Sequence, residues 1–445
     1  MKKISLFLSI LMVFVLISTG TLGAAASSDQ PDEEILAHSA LLINTDTGKV
    51  VYSKNAQDKM YPASITKVMT AVLLLESVED LDHTTATATS EDMEDLYGTG
   101  ASTADIRIGE TLTMRDYLYA MLIPSGNEAA NIVANNLGPG IPAFVEKMNA
   151  KAQELGMKNT HYANPHGLFD EQQYTTAEDI AVLAQYAMKI DAFREAVSQI
   201  RYTLPATDYA DERLLITTNM MMEPGTVYYR DYISGIKTGS LPEAGKCVVS
   251  TASQDGYNYL CVILGAPTED ANGESYDYNM AFYDTVHLYD WAFENFSNLT
   301  MLDPETPINE AKVKYGKDQD FVHVSPQEKF TALVPSYVTE EDVQKIVHLP
   351  EEPLAAPIHE GDVVGTVELK LKDETIGEIP LVAKENVERS KWLYYTDMFQ
   401  KALGSIWAKI ILIIIVLLIA IYIIYAILVN QKNKKYKKIR RRKKL

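Results

Sequence analysis

The stretch MYPASITKVMT, residues 60 to 70, sets Ser64 and Lys67 three positions apart between a proline and an apolar run. From Ser64 onward, SITKVMTAVLLLESV has apolar residues at helical spacing, with Pro62 just before the start. On a helix beginning at the serine, residues i and i+3 share a face, so the amine reaches the hydroxyl. A serine hydroxyl is a poor nucleophile until a neighbouring base takes its proton. An ordinary lysine, with a pKa of about 10.4, is protonated at neutral pH and is no base. The pair acquires a chemical meaning if the fold desolvates Lys67 and sets it near a second cation, both of which lower its pKa. A helix start adds free backbone N–H groups and a positive dipole end, which favour an oxyanion beside the nucleophile.

The spacing alone is weak, because Ser234 and Lys237 in SGIKTG repeat it. That copy reads as a strand, where i and i+3 point to opposite faces, so Ser234 is read as structural. Two further triplets give the first copy its context. MLIPSGNEAAN places Ser125, Gly126 and Asn127 in a loop between two helical runs, supplying a hydroxyl and an amide on a sharply turned backbone. IKTGS places Lys237, Thr238, Gly239 and Ser240 on a strand. Gly239 lets another backbone approach closely, and a lysine beside a hydroxyl suits a carboxylate. Each triplet singly is an ordinary loop or strand end. Together they read as nucleophile, proton relay and anion clamp.

Around this centre, ALLINTDTGKVVYSKN (40–55) reads as two strands joined at Asp46-Thr47-Gly48. Helical segments are expected at 113–137, 142–155, 176–189 and 279–295, and strands at 231–238, 245–253 and 257–265. Strands at both ends with helices between indicate one α+β domain over 33–298. Short alternating segments divided by Pro and Gly then indicate a small all-β domain over 305–388. Cys247 and Cys261, the only two cysteines, flank an apparent hairpin and are expected as cross-strand neighbours, bonded or free.

The ends differ in kind. Residues 1–26 have a basic start, an apolar run and the small-residue site Ala24–Ala26 of a secretory signal. Residues 408–429 carry Lys409 as their only charge and are long enough to span a bilayer. A juxtamembrane segment, 389–407, precedes this span, with Trp392, Tyr394, Tyr395 and Trp407 suited to the interface. The tail 430–445 holds ten Lys and Arg and no acid, which marks the cytoplasmic side and directs the body outward. The net charge is −20, and leaving out the tail cations and Lys2 and Lys3 gives −32 for residues 27–431. Such an acidic body repels nucleic acid and anionic lipid.

The ordered set S-x-x-K, S-x-N, K-T-G resembles the penicillin-interacting serine D-alanyl-D-alanine carboxypeptidases of low molecular mass. YANPHGL, YTTAEDIA and APIHEGDVVGTVELKL extend the resemblance to residues 33–390. It implies an α+β, β-lactamase/transpeptidase-like domain (an antiparallel sheet with helices), a small all-β C-terminal domain and one C-terminal transmembrane helix. It also implies removal of the terminal D-alanine from peptidoglycan stem peptides ending in D-Ala-D-Ala, within cell-wall synthesis, and inhibition by β-lactams. Carried over residue by residue, Ser64 is acylated, Lys67 takes its proton and Ser125 relays it towards the leaving amine. Asn127 binds the peptide amide, Lys237 and Thr238 bind the terminal carboxylate, and the Ser64 and Ser240 N–H groups form the oxyanion hole. One position departs: Leu241 stands where the family usually has a threonine.

The eight histidines show no metal-ligand spacing, His166 in NPHG reads as structural, and GTGAST near residue 98 lacks the setting of a nucleotide loop. No metal and no cofactor are expected. Three other readings share part of the pattern. A class A β-lactamase carries a deacylating glutamate in a Glu-x-x-x-Asn loop, a pattern that Glu171 and Glu178 do not fit. A transpeptidase needs an acceptor-amine site. A catalytically silent wall-binding membrane protein would keep the triplets only as scaffold.

Overall fold

A computed structural model describes residues 30–442, with side chains to residue 432. The expected signal, 1–26, lies outside the described residues, as do 443–445 of the basic tail. The chain divides into two compact units, one running to Asn298 with Leu333–Tyr337, the other comprising Leu299–Ala332 and the residues from Val338.

In the first unit, β1 (Ser39–Asn44) and β2 (Val50–Lys54) form the expected hairpin. Small strands β3 (Thr85–Thr87) and β4 (Thr111–Thr113) pair with each other, as do β5 (Arg201–Leu204) and β6 (Arg213–Ile216). β7 (Ile233–Leu241), β8 (Gly245–Gln254) and β9 (Tyr257–Ala266) complete an antiparallel sheet of order β2-β1-β9-β8-β7. β7 lies at its edge.

β1 and β9 are apolar on both faces because both faces are covered. Leu41, Ile43, Leu260, Val262 and Leu264 enter one core cluster, and Ala40, Leu42, Cys261 and Ile263 the other. The first cluster packs against α1 (Lys67–Ser77), α2 (Met114–Leu122), α3 (Asn127–Leu137), α4 (Ile141–Glu154), α5 (Ala177–Ala187) and α6 (Asp191–Val197). The second packs against α7 (Met280–Asn295).

The loop expected between two helical runs within 113–137 is present: α2 ends before Pro124, whose ring blocks continuation, and Ser125 takes φ +70° before α3 begins at Asn127. The expectation that the two cysteines are cross-strand neighbours is corrected. Cys247 and Cys261 are free, buried and not neighbours. Asp255 and Gly256, both at positive φ, make a two-residue turn that pairs Gln254 with Tyr257. That register puts Cys261 opposite Ser250, three residues from Cys247, so the thiols occupy opposite core clusters.

The second unit holds a six-stranded, mostly antiparallel sheet that includes Phe321–Pro326, Val363–Leu371 and Glu374–Ala383. Val322, Val324, Val367, Leu369 and Leu381 are buried at alternate positions, the period-two pattern expected of these segments. α8 (Lys391–Gly404) leaves Trp392, Tyr395 and Phe399 exposed. α9 (Ile406–Arg442) contains an apolar stretch, Ile406–Lys432, long enough to cross a membrane.

Candidate active site

Ser64 lies in a 3-10 turn, Ala63–Thr66, and Lys67 is the first residue of α1. The helix thus begins three residues later than the sequence pattern suggests, yet the pair still meets because side chains at i and i+3 eclipse on a 3-10 turn. Lys67 is wholly buried. Its Nζ lies 2.9 Å from Ser64 Oγ, 2.5 Å from Asn127 Oδ1 and 2.6 Å from the His166 carbonyl oxygen. Burial pushes its pKa well below the usual lysine value, and the charge of Lys237 lowers it further, against the opposing influence of Glu128.

The two amide-type oxygens decide what the amine can do. Asn127 Oδ1 and the His166 carbonyl only accept, so together they take both N–H bonds of a neutral amine. The nitrogen lone pair then remains for the third neighbour, the Ser64 hydroxyl. An ammonium would donate to all three neighbours, so it is burial that favours the neutral form.

The turn carrying His166 is fixed from several sides. Thr70, one position beyond Lys67's own turn on α1, donates to the Pro165 carbonyl at 2.6 Å. His166 Nδ1 accepts from the Leu168 N–H at 3.1 Å, which leaves Nε2 to donate to Asp95 Oδ2 at 2.9 Å. Burial lowers the His166 pKa, with Asp95 opposing. Burial likewise works against the charge of Asp95, but the hydrogen bond and charge of His166, with hydrogen bonds from Asn131 and the backbone, together outweigh it and hold that carboxyl below its ordinary value.

Gly167 sits at φ +94°, and a Cβ there would lie 1.9 Å from the Ala63 carbonyl oxygen. Gly167→Ala is therefore expected to destabilise the protein by about 3 kcal/mol. A thermal melt and the extent of penicillin labelling, both reduced in the variant, would check it.

Ser125 is buried in the left-handed region, and its Oγ has no hydrogen-bond partner among the described residues. The loop around it is held by buried Glu128, whose Oε1 accepts from Thr103 Oγ1 at 2.5 Å and from the Ala104 N–H at 2.6 Å. On β7, Lys237 is also buried, which lowers its pKa to about 7, and Nζ donates to the Thr238 carbonyl at 3.0 Å. Thr238 Oγ1 hydrogen-bonds Thr218 Oγ1 at 2.5 Å. Gly239 performs the expected close approach: a Cβ there would stand 3.0 Å from Ala63 Cβ and 3.3 Å from the Ser64 nitrogen.

Ser64, Lys67 and Asn127 are thus in direct contact, Lys237 acts on Lys67 through its charge, and Gly239 abuts the Ser64 backbone. Thr238 and Ser240 make their side-chain contacts elsewhere, with Thr218 and Lys246. Ser234 is half-buried in β7, and its carbonyl accepts from Thr251 Oγ1. Glu171 is exposed and Glu178 accepts from Gln57. The sequence reading missed Asp95, Glu128 and the His166 carbonyl. The only signal for the last was Thr70, placed three residues after Lys67 on the face that meets NPHG.

An antiparallel sheet with helices on both faces, and a serine, a buried lysine and a K-T-G edge strand converging on one helix start, define a penicillin-interacting serine peptidase domain. Residues 24–268 match the D-alanyl-D-alanine carboxypeptidase family of serine peptidases, and the chain belongs to that family. Residues 296–389 match the C-terminal domain of penicillin-binding protein 5. Among individual proteins, the chain is 30% identical to D-alanyl-D-alanine carboxypeptidase DacF of Bacillus subtilis over 401 residues, 87% of this chain and 96% of the relative. The solved structure of penicillin binding protein 5 from Haemophilus influenzae shares the fold, at TM-score 0.63 and 24% identity, over 80% of this chain and 99% of that one. The Streptomyces K15 DD-transpeptidase structure is 27% identical, at TM-score 0.53, over 59% of this chain and 98% of that one. The protein is a D-alanyl-D-alanine carboxypeptidase, a hydrolase of the cell wall.

Proposed function

We propose that the residues brought together around Lys67 perform the carboxypeptidase reaction as an acyl transfer. Neutral Lys67 accepts the Ser64 proton while Oγ attacks the penultimate D-alanine carbonyl. The Ser64 and Ser240 N–H groups receive the oxyanion, a contribution of roughly 3 kcal/mol for one such donor. Ser125, with its unshared hydroxyl, passes a proton to the leaving D-alanine nitrogen, under the field of Lys237. Asn127 orients the peptide amide, and Lys237 with Thr238 receives the terminal carboxylate. Water then attacks the ester, returns its proton through Lys67 and frees Ser64. The unpaired outer edge of β7 suits a peptide lying alongside it.

The observation that carries this reading is the set of partners of Lys67: two obligate acceptors and one hydroxyl around a buried amine. A β-lactam, which presents a strained carbonyl and a carboxylate, would acylate Ser64 and leave slowly. The wall peptide places the reaction outside the membrane. The domain limits follow: a signal at 1–26, a catalytic domain at 33–298, a β domain at 305–388 and a juxtamembrane segment at 389–407. A single span at 408–429 would leave the basic tail, 430–445, in the cytoplasm.

Incubating the full-length protein in detergent with a pentapeptide ending in D-Ala-D-Ala tests the reading. Free D-alanine at one equivalent per peptide cleaved supports it. Penicillin turnover without D-alanine release, or transfer to an added amine in place of water, would overturn it.

A further inference from the structure

β7 presents two different faces. Lys237, Gly239 and Leu241 turn towards the helical core: Lys237 is buried, Gly239 meets Ala63, and Leu241 packs on the core cluster. Thr238 and Ser240 alternate with them and share the opposite face. Ser240 lies directly across from Lys246 on β8, so their side chains leave the sheet together, and Lys246 Nζ donates to Ser240 Oγ at 2.9 Å. Among the described residues Lys246 forms no ion pair, although acids outnumber bases by twenty in this chain. The half-exposed ammonium is therefore anchored on the Ser240 hydroxyl, with no carboxylate partner among the described residues.

On the carboxypeptidase reading, Thr238 of this face meets the terminal carboxylate, an anion. The two other amines nearby are poorly suited to hold it alone. Lys67 is committed to its carbonyl acceptors, and Lys237, lowered to about 7, carries only part of its charge at neutral pH. Leu241 adds no polar atom. We propose that Lys246 is a substrate-binding residue that receives the terminal carboxylate of the D-Ala-D-Ala peptide together with Thr238 and Ser240, and so favours free acids over amidated or extended C-termini. Lys246 takes no part in proton transfer. This assignment rests on the carboxypeptidase reading and adds to it a residue and a preference.

The test compares wild type, Lys246→Met and Lys246→Arg as full-length proteins. It uses diacetyl-Lys-D-Ala-D-Ala as substrate and the C-terminal amide of the same peptide as competitor. One exposed charged hydrogen bond is worth about tenfold in affinity. Lys246→Met should raise KM for the acid by about that factor with kcat nearly unchanged, and leave the Ki of the amide within twofold. Lys246→Arg should recover most of the loss. An unchanged KM, or equal losses for acid and amide, would overturn the proposal while leaving the carboxypeptidase reading intact. A wild type that releases no D-alanine would overturn both.

Discussion

Ser64→Ala is expected to abolish covalent labelling by fluorescent penicillin and to lower D-alanine release on the order of 10⁴-fold or more, with a thermal midpoint close to that of wild type. The size follows from chemistry in series: without Oγ no acyl-enzyme forms, and the oxyanion donors and bound substrate sustain only residual hydrolysis. The stability expectation follows from position. Ser64 is half-buried on a turn whose own bonds, Ile65 N–H to the Pro62 carbonyl and Thr66 Oγ1 to the Ala63 carbonyl, do not use its side chain. Labelling retained at wild-type level in Ser64→Ala would move the nucleophile elsewhere.

Lys67→Arg is expected to slow acylation on the order of 10³-fold, although it keeps a long basic side chain at the same place. A guanidinium stays protonated at any pH the protein survives, so it cannot accept the serine proton. It also carries a permanent charge into a wholly buried position, which costs stability. The loss should therefore appear both in the acylation rate and as a lower melting temperature. Lys67→Ala separates the two effects. It removes the charge but leaves Asn127 Oδ1 and the His166 carbonyl without their donor, and acylation should fall by a similar factor. A Lys67→Arg variant acylated as fast as wild type would show that the amine is no base.

Much of this site could be read from local pattern. The order of the triplets, the close approach at Gly239 and the loop at Ser125 each depend on a few adjacent residues whose backbone preferences are strong. The sheet was legible from the turn at Asp46-Thr47-Gly48 and the strand segments read at 231–238, 245–253 and 257–265. What escaped was long-range. The His166 carbonyl reaches Lys67 across 99 residues and the Asp95 carboxylate reaches His166 across 71, and neither contact leaves a periodic trace. A backbone carbonyl, moreover, has no residue type to betray it. The cysteines failed for a different reason, since the Asp-Gly turn that fixed their register was visible and a one-residue count decided their faces.

The distinction between Lys67 as base and Lys67 as a buried structural cation has a direct readout. The acylation rate constant at saturating penicillin, measured from pH 5 to 10 on the full-length protein, reports the amine in the complex. Burial and the charge of Lys237 push the pKa of Lys67 well below 10.5. The rate should then rise with pH only at the acid end and level off well before the pH at which an ordinary lysine loses its proton. A rate that keeps climbing with unit slope towards pH 10 would mean an ordinary, protonated lysine, and would contradict the account.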